Sequence, residues 1–226
     1  MREFPRRAIH LDCHTMPGMY DIAKEFDADA FARTLSESHV DYITVFAKCN
    51  LGFAYYPTKI GKVYPGLKVD LLGQMVKACH ARSIRVAAYL NVGIDHEHAR
   101  THREWCKVDK EGRVYNVKDM GHWFRDPCLN TAYGEHILGM VREVLEQYPV
   151  DGIFLDCFDL KPCYGHECLT AMKQAGMNVF DDRQVADFCW RITDRFMNRV
   201  ESLVREHREG IYIFFNGIAY LSLIHI

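Results

Sequence analysis

Five apolar or β-branched runs alternate with four amphipathic helical patterns along this chain of 226 residues. That alternation restricts the fold more than any other feature of the sequence. The runs lie at 8–15 (AIHLDCHT), 41–49 (DYITVFAKC), 85–93 (RVAAYLNVG), 150–159 (VDGIFLDCFD) and 211–217 (IYIFFNG). Between them, Phe31, Leu35 and Val40 share one face of a helix over 28–40 that Asp27 can cap. Leu72, Met75, Val76 and Cys79 mark a helix over 69–83. Ile137, Leu138, Val141, Val144 and Leu145 mark another that Asn130 can cap, and a stripe from Val185 to Leu203 marks a long helix over 185–207. Helical crossovers between consecutive strands imply a parallel sheet.

Such a sheet is either open and doubly wound or closed into a barrel. No glycine-rich phosphate loop follows the first run, where a nucleotide-binding doubly wound fold would carry one. Polar residues recur instead at strand ends: Asp12 and His14, Lys48 and Asn50, Tyr89 and Asn91, Asp156, and Asn216. A polar ring spread over several strand ends is the pattern of a (β/α)8 barrel, whose chemistry sits at that rim. The fold expected is therefore α/β, a partial (β/α)8 TIM barrel. Strands one to five are present, and 226 residues are somewhat short of the typical ~250. The last six residues, LSLIHI, equal the forward translation of a transposon-end adapter used in library preparation. The expected division is thus 1–220 as the N-terminal part of the barrel and 221–226 as adapter translation; the competing reading is a sixth apolar strand.

Composition excludes several classes. Charged residues make up 26% with a net charge of −2 and interspersed signs, which argues against nucleic-acid and membrane-surface partners. No apolar stretch approaches the ~20 residues needed to span a bilayer. Nine cysteines, an odd number without a secretion signal at the N-terminus, predict reduced thiols and a cytoplasmic location. No cofactor is expected, and a homo-oligomer of the whole protein stays open.

The fourth run carries the main chemical signal. Ile153, Phe154 and Leu155 read as a strand buried on both faces, and Asp156 interrupts it at its C-terminal end. A carboxylate there is costly unless it is paired or used. Glycoside hydrolysis uses two carboxylates, which in retaining enzymes lie roughly 5–5.5 Å apart. Asp156 is the candidate catalytic carboxylate of a sugar-cleaving enzyme. The competing structural reading pairs Asp156 with Lys48.

Lys48, Cys49, Asn50, Leu51, Gly52 and Phe53, then Ala54, Tyr55, Tyr56, Pro57, Thr58 and Lys59, resemble the K-H-H-D-G-F stretch and W-P-S-K-like loop of α-L-fucosidases. Phe154, Leu155, Asp156 and Cys157 match in position the W-F-D-G-like strand end that carries the fucosidase nucleophile. Residues 41–156 thus resemble the α-L-fucosidase-type glycoside hydrolases, and more closely the hypothetical glycosyl hydrolase 6 family. The resemblance implies a carbohydrate substrate and a retaining hydrolase, α-L-fucosidase-like or β-galactosidase-like. Asp156 would be its nucleophile, with a partner carboxylate beyond residue 220, and Asp12, His14, Lys48, Asn50, Tyr89, Asn91 and Asn216 its sugar subsite. Two sugar-binding histidines of the fucosidase motif are Cys49 and Asn50 here, and the glycine after the aspartate is Cys157, departures that bear on fucose specificity more than on sugar hydrolysis.

His10, Asp12 and His14 alternate along the first run and so share one face. They offer a rival reading as an H-x-H-like metal pair of a metal-dependent, amidohydrolase-type barrel hydrolase. Read without a metal, His10 lies deepest and is satisfied in the core. Cys163, His166 and Cys168 have nearly zinc-ligand spacing, set against a bland reading as buried thiols. Tyr55, Tyr56, Tyr64, His122 and Trp123 are candidates for an aromatic wall against a sugar face. A third reading is a non-catalytic carbohydrate-binding barrel in which Asp156 only orders hydroxyls.

Overall fold

The computed structural model describes residues 4–16, 18–115 and 124–217. The LSLIHI segment, His122 and Trp123 lie outside them. Among the described residues the fold is mixed α/β, with seven strands and six α-helices. In chain order these are β1 (Ala8–His10), α1 (Ala28–Glu37), β2 (Tyr42–Lys48), β3 (Phe53–Ala54), β4 (Lys62–Val63), α2 (Leu71–His80), β5 (Arg85–Asn91), α3 (His96–Thr101), α4 (Ala132–Gln147), β6 (Gly152–Asp156), α5 (His166–Gln174), α6 (Asp182–His207) and β7 (Tyr212–Phe215). Among these residues no helix is long and apolar enough to cross a membrane.

The five expected strands pair in parallel in chain order, β1 on β2, β2 on β5, β5 on β6 and β6 on β7. Order never reverses along this path, so the switch-point crevice of a doubly wound sheet does not form. The aromatic loop after β2 adds two short strands: β3 is antiparallel to β2, and β4 is parallel to β3.

Strand periodicity divides the residues cleanly. Ile43, Val45 and Ala47 of β2, Val86, Ala88 and Leu90 of β5, and Ile153 and Leu155 of β6 pack into one core with α1, α2, α4 and α6. The other face carries an aromatic row. Phe46 stacks on Tyr89 at 4.1 Å between ring centres, Tyr89 on Phe154 at 5.8 Å, and Phe154 on Phe214 at 5.9 Å.

Helix ends follow local chemistry. Asp27 caps α1 by accepting from the N–H groups of Asp29 and Ala30. The helix stops at Glu37, short of Val40, because His39 takes φ +56. Thr131, rather than Asn130, caps α4 through the Tyr133 N–H. The first strand ends at His10, and residues 11–16 continue without ladder pairing. The cysteine-rich segment expected as loop contains α5, and the polar segment after β5 contains α3.

Candidate active site

Strand register assembles the site. Asn91 on β5 is level with Asp156 on β6, and Leu155 is level with Phe215, which brings Asn216 beside Asp156. The Asp156 carboxylate is held from two sides. Oδ2 accepts from the Tyr89 hydroxyl at 2.6 Å and Oδ1 from Asn216 Nδ2 at 2.7 Å. The Cys157 thiol also donates to Oδ2, at 3.5 Å. Asn91 Nδ2 donates to the Tyr89 oxygen at 2.9 Å and to Cys157 Sγ at 3.2 Å, so it orients both neighbours of the carboxylate. Burial, then the Asp156 carboxylate, hold the Tyr89 hydroxyl well above its ordinary value, so it stays a donor. Burial and the same carboxylate push the Cys157 thiol up to about 12, so it remains protonated at neutral pH and does not compete as a nucleophile.

The turn after Asp156 is tight. Val92 and Gly93 both donate their N–H groups to the Asp156 carbonyl, at 2.9 and 3.2 Å. A Cβ at Gly93 would fall 1.5 Å from the Cys157 carbonyl oxygen, so that position admits only glycine. Cys157 itself sits at φ +62, a conformation that costs a non-glycine residue roughly 1–2 kcal/mol. The glycine that the fucosidase motif has at this place fits that backbone.

His14 reaches the same rim from the extended segment after β1. Its ring centre lies 4.8 Å from that of Phe46, and Nε2 is 3.4 Å from Asp12 Oδ1. Burial lowers its pKa from the ordinary value, against the opposing pull of Asp12 and Asp156. Asn50 adjoins His14, and its Oδ1 is buried without a close hydrogen-bond donor. Such an acceptor suits a ligand hydroxyl. Asp12 is largely exposed at the edge of this group.

Three expectations are corrected. Lys48 is completely buried and pairs with Asp95 at 3.0 Å, not with Asp156. The cause is a register shift between Phe46 and Lys48, a bulge that sets Lys48 opposite the core-facing Leu90 instead of continuing the Thr44–Phe46 face. Lys48 acts on the site only indirectly, by donating to the Asn91 carbonyl at 2.7 Å. Tyr55, Tyr56 and Tyr64 are buried beneath their own loop. Tyr55 and Tyr64 donate to the carbonyls of Cys13 and Met16, and Tyr56 donates to Glu143. The aromatics that face the site are Phe46, Tyr89, Phe154 and Phe214, supplied by the strands rather than by the loop. His10 is exposed on the open sheet face, its ring 5.2 Å from Phe154, and is no core histidine.

His10, Asp12 and His14 do not converge on a common point. Among the described residues, the one group of three or more metal-ligand side chains with all ligand atoms within 4.8 Å is Cys128, Cys163 and Cys168. His166 is exposed and outside it.

The Lys48 network makes a pH prediction. Asp95 accepts from the His98 backbone N–H and from His98 Nδ1, both at 2.9 Å. Burial alone would raise this carboxyl, but the Lys48 ammonium and the His98 bonds overcome it and hold its pKa down to about 2. A carboxylate depressed on folding contributes stability above its unfolded value, near 4, and loses it as pH falls toward 2. The expected contribution is about 2 kcal/mol. Urea midpoints measured from pH 7 to pH 2 should therefore fall more steeply below pH 4 in the wild-type chain than in Asp95→Asn. Parallel profiles would contradict the assignment.

Residues 27–157 match the family described as hypothetical glycosyl hydrolase 6. The chain is similar to α-L-fucosidase isoenzyme 2 from Paenibacillus thiaminolyticus, with 33% identity and a TM-score of 0.88 over 95% of this chain and 33% of that one. An α-L-fucosidase of Bacteroides thetaiotaomicron superposes with a TM-score of 0.53 at 18% identity, over 84% of this chain and 34% of that one. A hypothetical protein from Ruminiclostridium thermocellum has a TM-score of 0.58 at 14% identity, over 92% of this chain and 96% of that one. The chain thus spans about a third of the length of the fucosidases it matches. No curated protein matches it.

Proposed function

Because the chain belongs to the hypothetical glycosyl hydrolase 6 family, we propose that it is the nucleophile-bearing part of a retaining glycosidase, with Asp156 as the attacking carboxylate. The observation that carries this reading is the setting of Asp156: a strand-end carboxylate with Tyr89 on one oxygen and Asn216 on the other. Both partners are neutral donors, so they orient the charge without an ion pair to quench it. Oδ2 is engaged by Tyr89 and Cys157, whereas Oδ1, with Asn216 as its one donor, keeps a lone pair for attack on an anomeric carbon. The likeness to the Paenibacillus fucosidase favours an α-L-fucoside-like substrate, with a β-galactoside-like one as the second choice.

In this reading the five parallel strands are an arc of a (β/α)8 barrel, and the aromatic row with Asp156 faces its interior. Phe214 and Phe154 offer a ring surface for the C–H face of a sugar, while His14 and Asn50 reach its hydroxyls. Asn91, fully buried with its amide engaged by Tyr89, Cys157 and the Ile94 N–H, acts only through Tyr89 and Cys157. The acid/base carboxylate is assigned to the two-thirds of the relative's length that this chain does not span. A protonated carboxyl there would donate to the leaving oxygen as Asp156 attacks, and its conjugate base would then activate water to release the sugar.

A panel of nitrophenyl glycosides, with and without chelator, tests this on a full-length protein carrying these residues. The expected result is nitrophenol release from the α-L-fucoside or the β-galactoside, unchanged by chelator. Chelator-sensitive hydrolysis of esters or amides would favour the metal-dependent alternative at His10, Asp12 and His14. Saturable sugar binding without release would favour a carbohydrate-binding barrel.

A further inference from the structure

Four cysteines from three separate parts of the chain converge behind the loop that follows Asp156. Cys128 precedes α4, Cys163 lies in the β6–α5 loop, Cys168 is on α5 and Cys189 is on α6. All four are buried. The sulfurs of Cys128, Cys163 and Cys168 lie within 4.8 Å of one another, and Cys128 and Cys168 are 3.4 Å apart. That is far beyond a disulfide bond, at ~2.05 Å. It is close to the edge of a tetrahedron of sulfurs around zinc, roughly 3.8 Å for zinc–sulfur bonds of about 2.3 Å. The Cys189 sulfur stands just outside that group of three and accepts from the Cys163 N–H at 3.2 Å, so it is the fourth thiol at hand.

Two independent features point to a ligand. A cavity of about 20 Å³ lies among Cys128, Cys163 and Cys189, with Lys107 and Lys161 at its wall, room enough for a single small occupant. A backbone donor is also aimed at a sulfur: the buried Cys163 N–H donates to Cys189 Sγ at 3.2 Å. Thiols are weak acceptors and leave a buried N–H poorly satisfied, whereas metal-bound thiolates satisfy it fully.

We propose that Cys128, Cys163, Cys168 and Cys189 form a closed, structural zinc site. Zinc binding displaces the thiol protons to solvent and leaves four thiolates around the ion; Lys107 and Lys161 stand nearby, each already paired with Asp159, and Lys161 also with Asp126. A four-thiolate site has no open position for substrate or water, so its role is architectural. It staples the loop after Asp156 to the start of α4 and to α6, and so fixes the segment that begins with the strained Cys157. This site is independent of the glycosidase reading.

Metal analysis of the full chain, purified without chelator and dialysed, tests it. About one zinc per chain is expected. Cobalt(II) exchange should give an intense thiolate-to-cobalt charge-transfer band together with the visible bands of a tetrahedral ion. Cys163→Ser and Cys189→Ser should each lower zinc content at least tenfold, whereas Cys79→Ser, in the main core, should retain it. The proposal is overturned by a folded wild-type chain that holds less than a tenth of an equivalent after zinc reconstitution, or by a Cys128–Cys168 disulfide found by mass spectrometry. Full zinc content in Cys189→Ser would equally overturn the four-thiolate assignment. The cobalt spectrum of the wild-type chain decides the matter even where a variant fails to fold.

Discussion

Replacing Lys48 by methionine destabilises the chain by about 3–5 kcal/mol, the cost of leaving a buried carboxylate without its cation. Both partners of this pair are fully buried, and Asp95 has no other cation unless His98 protonates. The backbone closes the space around the pair: Gly52, at φ +98, has its Cα so near that an added Cβ would lie 2.2 Å from Asp95 Oδ1. Water therefore has little room to replace the ammonium. Lys48 also holds the Asn91 carbonyl, so the end of β5 should loosen with it. Urea unfolding followed by circular dichroism measures the effect. Replacing both residues, Lys48→Met with Asp95→Leu, should recover much of the loss, because a buried ion pair is often no better than apolar side chains of similar volume. A loss under 1 kcal/mol in the single variant would show that the pair is solvated.

Asp156→Asn has the largest expected effect on function. The substitution keeps size and leaves hydrogen bonding to Tyr89 and Asn216 partly intact, but it removes the charge and the nucleophilic oxygen. In a full-length protein carrying these residues, the proposed glycosidase turnover should fall by roughly 10⁴-fold or more, as for loss of a nucleophile in other hydrolases. Sugar binding and the unfolding midpoint should change little, since Phe154, Phe214, His14 and Asn50 remain in place. Turnover within tenfold of wild type would remove Asp156 from the reaction.

Much of this arrangement is legible in the sequence because it is local. Strand alternation sets the sheet, and period-two placement sets Tyr89, Asn91, Phe154 and Asp156 on one face before any register is known. Non-local features are not legible in the same way. The bulge between Phe46 and Lys48 leaves no trace in DYITVFAKC, yet it turns a lysine expected at the sugar rim into the partner of Asp95. The thiol cluster shows the same limit. Spacing suggests Cys163, His166 and Cys168, but α5 begins at His166, so residues 166 and 168 lie roughly 200° apart around the helix and only the cysteine turns inward. Cys128 and Cys189 join from distant positions that no spacing rule connects. The loop tyrosines mislead for a related reason: their hydroxyls find carbonyls and Glu143 beneath the loop, which lets the rings bury completely.

The central claim, that Asp156 attacks a sugar, is tested most directly by trapping the intermediate. A full-length protein carrying this chain is incubated with the 2-deoxy-2-fluoro glycosyl fluoride of the sugar that the nitrophenyl panel identifies, then digested and mapped by mass spectrometry. Fluoride leaves without protonation, so the acid/base residue is not needed for the first step, and the 2-fluoro group slows release of the ester. The account predicts one fluoroglycosyl group on the peptide containing Asp156 and none in Asp156→Asn. Label on a different carboxylate, or an active enzyme that acquires no label, would contradict it.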